Sequence, residues 1–216
     1  MWHVYPPSRN RERIYFCRKN YENVDLNDLL FMKIKRILFF FSILLLMSAC
    51  RGTDKKKLIE VEKQELAKGI RNDSIFHGLY LGMTVAAFAD TCRERHRQGL
   101  FDEGGNRMVE FELKNNELKF PAKISFYPIF THNKISEVPV FFRYSNLEIW
   151  NPEMKTDKLL IDVKKLMEKW YNGRFFLTAL PTGRNGFAQV SGNRRILIKM
   201  DKEDEVVVVF TDLIAK

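Results

Sequence analysis

The chain has 216 residues and a formal net charge of +9, from 36 Lys and Arg against 27 Asp and Glu. A chain of this length can bury an adequate core without disulfides. Eight of the basic and four of the acidic residues fall within the first 49, leaving 28 and 23, a dispersed net of about +5, which removes the support for a nucleic-acid binder.

In chain order, residues 1–31 show no sustained helical or strand period. They are expected to be an upstream extension of the reading frame, with Met32 as the true start. The alternative is a cytoplasmic tail ahead of a signal anchor. Met32-Lys33-Ile34-Lys35-Arg36 then forms a basic head, followed by the thirteen uncharged residues of 37–49, which end in Ser48-Ala49 before Cys50. A short basic head, a short apolar run and a small residue before the cut describe a secretory signal. The run falls short of the roughly 20 residues a spanning helix needs.

From Lys33 to Cys50 the chain resembles a bacterial lipoprotein precursor, with Met47 standing where that family usually carries leucine. The resemblance implies cleavage after Ala49 and a lipid-bearing, diacylated and palmitoylated Cys50 as the first mature residue. It also implies a place in the bacterial cell envelope, anchored to a membrane through that lipid. The lysines Lys55, Lys56 and Lys57 depart from the acidic export pattern of some surface lipoproteins, so the outer membrane facing the periplasm is expected. With Cys17 removed and Cys50 acylated, Cys92 has no disulfide partner. It reads as a small buried hydrophobe.

Residues 50–73 are expected to form the lipid-attached tether and a short helix over 58–68, with Leu58, Val61 and Leu66 apolar and Gly69 as its stop. The folded domain is expected over 74–216. Residues 76–84 read as an extended segment ending at Thr84, the N-cap of a helix from Val85 to Gln98, with Val85, Phe88 and Cys92 on one face and Gly99 closing it. Alternation then predicts strands at 108–113, 119–127 and 138–144, with turns at 114–117 and 131–134. Pro121 and Pro139 are expected at a sheet edge or a bulge. Thr156 is expected to cap a second helix over 157–171, with Leu159, Leu160, Val163, Met167 and Trp170 as its apolar face and Gly173 as its stop. Strands follow at 174–180 (extending as far as Val190), 195–200 and 206–211.

The order of elements thus repeats. Residues 137–142 match 205–210 at a spacing of 68, and the caps Thr84 and Thr156 are 72 apart. This predicts an α+β fold of two tandem αβββ units, about 74–148 and 149–216, with antiparallel sheets covered on one face by helices. With Leu81-Gly82-Met83-Thr84 leading into a helix, the domain resembles the small SmpA/OmlA-type lipoprotein of the barrel-assembly machinery and the tandem-repeat β-lactamase-inhibitor protein. Both groups act by binding proteins, which is what the resemblance implies here; fold alone does not transfer function.

Catalytic chemistry finds little support. Cys92 and His96 are spaced i, i+4, but no second ligand pair accompanies them and His96 is flanked by Arg95 and Arg97. His77 and His132 sit by turn residues. Gly183-Arg184-Asn185-Gly186 matches the short GxxG of one RNA-binding module, yet lies between strands and reads as a hairpin connection. Glu110/Glu112 and Glu203/Asp204 read as solvent-facing carboxylates. No enzyme, metal or cofactor is expected. The aromatics of the first half are more informative. Tyr127, Phe130, Phe141, Tyr144 and Trp150 are the candidate partner-binding surface, against the alternative that they are buried by the second unit. The expected function is non-catalytic binding of a protein partner through the sheet, as an assembly factor or inhibitor. The alternative is a periplasmic carrier of a lipid or other hydrophobic ligand.

Overall fold

A computed structural model describes residues 53–113, 117–146, 148, 150–180 and 182–215. The signal-like segment, Cys50 and the 114–116 turn lie outside them. The described elements are α1 (Thr53–Ala67), α2 (Val85–Arg97), β1 (Asp102–Glu103), β2 (Val109–Glu112), β3 (Ala122–Phe126), β4 (Ile129–Thr131), β5 (Lys134–Tyr144), α3 (Thr156–Tyr171), β6 (Phe176–Ala179), β7 (Asn185–Ser191), β8 (Arg194–Lys202) and β9 (Glu205–Asp212). This is an α+β fold built on one nine-stranded sheet, in the order β1-β2-β3-β5-β9-β8-β7-β6 with β4 also on β5. Every pairing is antiparallel.

The sheet is therefore larger than two three-stranded units, and it is continuous. Its two halves meet where β5 pairs β9, through Val140↔Val208 and Phe142↔Val206 among others. The two segments that match in sequence are thus hydrogen-bonded neighbours. Alternation explains why these strands form. On one face Ile124, Phe126, Val138, Val140, Phe142, Ile196, Ile198, Val206, Val208 and Phe210 are all buried. On the other, Ser125, Phe141, Leu197, Lys199 and Val209 are half-buried.

The first face holds the core. Helix α3 packs on β5, β8 and β9, burying Leu159, Val163, Leu166 and Met167. The predicted stripe named Leu160 and Trp170; the structure adds Leu166, and both named residues pack at the margin of the core. The helix begins at Thr156 itself, with Lys155 in the cap position and no side-chain cap, because the Thr156 hydroxyl instead reaches the Glu203 carbonyl in the β8–β9 turn. Asn172, at φ 45°, takes the left-handed stop expected of Gly173. For α2 the expected cap holds: the Thr84 hydroxyl accepts from the Ala87 N–H at 3.3 Å. Its stripe is narrower than expected, since Phe88 and Cys92 pack inward while Val85 is 44% exposed.

Residues 74–80 form a tight hairpin rather than an extended run. Ser74 bridges Tyr80 across His77-Gly78, both at positive φ. The hairpin and the residues after it feed Ile75, Leu79, Leu81 and Met83 into the core. The turn at 131–134 is a two-residue connection with His132 and Asn133 at φ 49° and 62°, matching the twist of its strands. Pro139 lies inside the central strand β5. It sits opposite residues 127–128, where β3 has ended and β4 has not begun, so the ladder is already broken there. The expected strand from Arg174 towards Val190 is two strands, because residues 180–184 turn the chain.

Helix α1 behaves unlike a loose tether. It packs on β6 and β7, and its side chains reach the sheet's second face. Glu62 pairs Arg195 at 2.9 Å, Glu65 accepts from the Gly192 N–H at 3.2 Å, and the Lys57 ammonium lies 5.4 Å from the Phe176 ring centre. Gly192 is required at φ 58°, since a Cβ there would stand 2.3 Å from the Ile70 carbonyl oxygen.

Candidate functional site: an open sheet face and an aromatic cleft

Among the described residues, the second face of the sheet is covered by α1 at its β6–β7 side. Cross-strand register places Ser125, Phe141, Val207 and Lys199 in one row, and Pro139, Val209, Leu197 and Ala188 in the next. Tyr127, just beyond β3, is 37% exposed and stacks on Phe141 with ring centres 5.9 Å apart and planes 22° from parallel. Phe141, Leu197 and Val209 are half-buried while Val207 and Ala188 between and beside them are buried, so a strip of partly accessible apolar side chains lies on this face. Charged groups close it at both ends. Arg143 pairs Glu205 at 2.6 Å at one end; at the other Arg195 holds Glu62, with Thr211 donating to Glu137 at 3.4 Å. An apolar strip rimmed by fixed charges is suited to a partner surface of complementary shape and charge.

The five aromatics expected to form this surface separate in the structure. Tyr127 and Phe141 stand together on the open face. Phe130 is half-buried, edge-on to Phe88 at 6.0 Å, and packs against the core. Tyr144 is a core residue at 5% exposure, on the face with Val140 and Phe142, and its hydroxyl donates to Asp162 at 3.3 Å. Burial and the nearby Asp162 carboxylate raise its pKa. Trp150 is 83% exposed, in the loop between β5 and α3.

A second candidate was not anticipated from the sequence. Ile75, Phe76, His77, Leu100, Phe111, Leu113, Trp170 and Tyr171 line an open cleft of about 390 Å³, with Glu112 and Glu117 at the same opening. Such a volume is in the range of small-ligand sites. The Tyr171 hydroxyl donates to the Ile75 carbonyl at 2.6 Å and the Arg194 guanidinium lies 4.6 Å from its ring centre, which fixes that wall. The rings come from three elements distant in sequence, so no local pattern announces them.

The residues weighed for chemistry are accounted for as follows. His96 and Cys92 border a smaller hollow of about 180 Å³. The His96 Nδ1 lies 2.8 Å from the Phe101 carbonyl, so it carries the proton and donates. His77 stands edge-on to Phe101 and Phe111. His132 is an exposed turn residue. Glu110 pairs Lys123, and Asp204 lies 3.8 Å from Arg143. Gly183 and Gly186 belong to the β6–β7 hairpin. Among the described residues no group of three or more His, Cys, Asp or Glu is placed to hold a metal ion. Burial pushes the Cys92 thiol up to about 11, so roughly one molecule in a thousand is thiolate at pH 8. Alkylation of Cys92 by iodoacetamide, followed by mass spectrometry, is therefore expected to be far slower in the native chain than in urea. Equal rates would place the thiol in solvent.

No helix among the described residues is long and apolar enough to cross a membrane. Compared with protein-family models, with curated proteins and with solved structures, the chain matches none.

Proposed function

We propose that this chain is a lipid-anchored cell-envelope protein, held through Cys50, that binds a protein partner non-catalytically through the open face of its sheet. The observation that carries the reading is the partly accessible apolar strip with the Tyr127–Phe141 stack at its β3–β5 side. The core on the other face is complete, so this strip is left over from folding; exposed apolar surface of that kind is costly in water unless something covers it. The two halves are read as tandem units, each a helix followed by antiparallel strands, joined edge to edge by their last strands. That order supports the likeness to SmpA/OmlA-type lipoproteins and tandem-repeat inhibitors, which bind proteins. The basic head and short apolar run before Cys50 support the lipid anchor, and Lys55, Lys56 and Lys57 after it support the periplasmic side of the outer membrane.

The test is a photoreactive amino acid placed in cells at Phe141, with a control at Ile161, which is 41% exposed on α3. A discrete adduct at position 141 that disappears with Tyr127→Lys is expected. Adducts at 161 alone, or none at 141, would remove the sheet from the reading. The aromatic cleft favours a second reading, a carrier of a hydrophobic ligand. Native mass spectrometry of the chain drawn from membranes tests it: a bound lipid lost with Trp170→Ala would support it, and a ligand-free mass would end it.

A further inference from the structure

We infer that the end of the sheet bearing Trp150 rests on the phospholipid surface, with the indole at headgroup level and the strands rising away from the membrane. The inference rests on the anchor at Cys50 proposed above and adds an orientation to it.

The geometry begins with α1. Going backwards along the chain, Glu65 meets Gly192 in the β7–β8 turn, Glu62 meets Arg195, and Lys57 meets Phe176, which pairs with Ala188. The helix therefore runs along β7, from the β7–β8 turn towards the β6–β7 turn. From Lys57 back to Thr53 it advances about 6 Å further in that direction. Cys50 is only three residues ahead of Thr53, a reach of about 10 Å at most. A helix clamped to the sheet and followed so closely by the anchor cannot act as a long flexible leash. An anchor at Cys50 would therefore lie within that reach of the β6–β7 end of the sheet.

Register identifies what else lies at that end. The pairings Phe187↔Ile198, Met200↔Val206, Phe142↔Val206 and Ile124↔Phe142 bring the start of β7, the end of β8, the start of β9, the end of β5 and the start of β3 to the same end. The loop after β5 carries Trp150 there. Its supports are fixed: the Ser145 N–H donates to the Pro121 carbonyl at 2.9 Å, the Asn151 side chain accepts from the Glu153 N–H at 3.0 Å, and Met154 is buried. Lys119 pairs Glu153 at 2.5 Å. Close to these contacts stands an 83% exposed indole, the most exposed of the large apolar side chains among the described residues. An apolar ring with one N–H donor suits the membrane interface better than water or a core.

Charge supports the same placement. Arg51, Lys55, Lys56 and Lys57 stand against the single acid Asp54 immediately after the anchor. Basic residues so close to an anionic surface are drawn to it. At the sheet end itself Arg143 pairs Glu205 and Lys119 pairs Glu153, but Glu148, Asp201 and Glu203 are exposed there as well, so its attachment comes from Trp150 and not from charge. Of the other exposed apolar side chains, Tyr80, Ile70 and Ile214 lie away from this end. Tyr80 and Ile214 border the cleft with Asp212 at the opposite end of β9, and Ile70 adjoins Gly192.

The test uses the full chain carrying Trp2→Phe, recovered with its native N-terminus and reconstituted in vesicles of phosphatidylcholine and phosphatidylglycerol with brominated acyl chains. Fluorescence quenching is expected, and it should be lost on Trp150→Phe. A Tyr80→Trp reporter in that last background should stay unquenched. The intact mass of the N-terminal peptide separates the two ideas. A lipid on Cys50 with no Trp150-dependent quenching, or with quenching at position 80 instead, would overturn the orientation and leave the anchor standing. An unmodified Cys50 would overturn both.

Discussion

Replacing Phe126 with alanine is expected to destabilise the domain by about 3–5 kcal/mol. Phe126 is completely buried. Its ring centre lies 5.1 Å from that of Phe76, 5.5 Å from Phe101 and 6.3 Å from Phe111. It also stands across from Val109 and Val140 on the neighbouring strands. The residue is where the 74–80 hairpin, the loop after α2 and three strands converge, so a cavity there has several walls and no single element able to collapse into it. The lost aromatic pairs add to the transfer and cavity cost. Phe126→Leu should cost about half as much. Tyr127→Ala, one residue on but facing solvent, should stay below about 1 kcal/mol. Urea unfolding of the three variants checks this: the midpoint should move and the slope should not. A midpoint for Phe126→Ala within error of the parent would mean that the core is not where the rings place it.

Much of this was legible locally. Residues 109–113 and 122–126 alternate cleanly because each strand buries one face, and the Thr84 hydroxyl before a helical stripe announces its own cap. What was not legible is non-local. Nothing in 137–142 or 205–210 says that these segments pair with each other, since register between strands about 70 residues apart is decided by the assembled face. The stretch from Leu180 to Gly186 holds several turn residues, and which of them bends the chain depends on where β7 finds β8. Helix α1 was underestimated because its apolar stripe is thin. Its seat is made instead by ion pairs and a backbone contact to Arg195 and Gly192, which periodicity does not register.

The candidate surface was legible in part for the same reason. Tyr144 shares parity with Val138, Val140 and Phe142, so the alternation already placed it with the core, although it was named with the aromatics of the candidate surface. Tyr127 and Phe141 have the opposite parity and sit on the open face. Trp150 lies beyond the last strand, where alternation says nothing, and its exposure follows from how Asn151 and Met154 seat the loop. The cleft escaped notice because Phe76, Phe111 and Trp170 meet only after folding.

The second large effect is expected at Asn193, a buried side chain that ties the α1 connection to Asp73 and Asp212 alongside Arg71, which lies 2.9 Å from Asp73 and 3.6 Å from Asp212. Asn193 is 1% exposed. Its amide nitrogen donates to Asp73 Oδ1 at 2.8 Å and to Asp212 Oδ1 at 2.9 Å, while its carbonyl oxygen accepts from the Asn72 N–H at 2.7 Å. Two carboxylates around one amide fix which way it points. For Asp73, burial raises the pKa, but hydrogen bonds from Arg71 and Asn193 outweigh it and leave the group below the usual carboxylate range. A depressed folded pKa contributes stability that is present above the unfolded value, roughly 3.9, and is lost as the pH falls through the folded one. Asn193→Ala removes both donors and should cost about 3 kcal/mol at neutral pH. Asn193→Asp keeps the acceptor for Asn72 but replaces a two-donor amide with a third carboxylate, so at neutral pH it should be the worse variant. Its acid dependence should also reverse. Crowded carboxylates have raised pKa values, and their penalty is relieved as one of them takes a proton and becomes a donor to its neighbour. Unfolding midpoints at pH 7 and pH 4.5 should therefore converge for Asn193→Asp and its parent, while Asn193→Ala stays displaced at both. A constant gap between Asn193→Asp and the parent would show that Asp73 and Asp212 are not held together by this side chain.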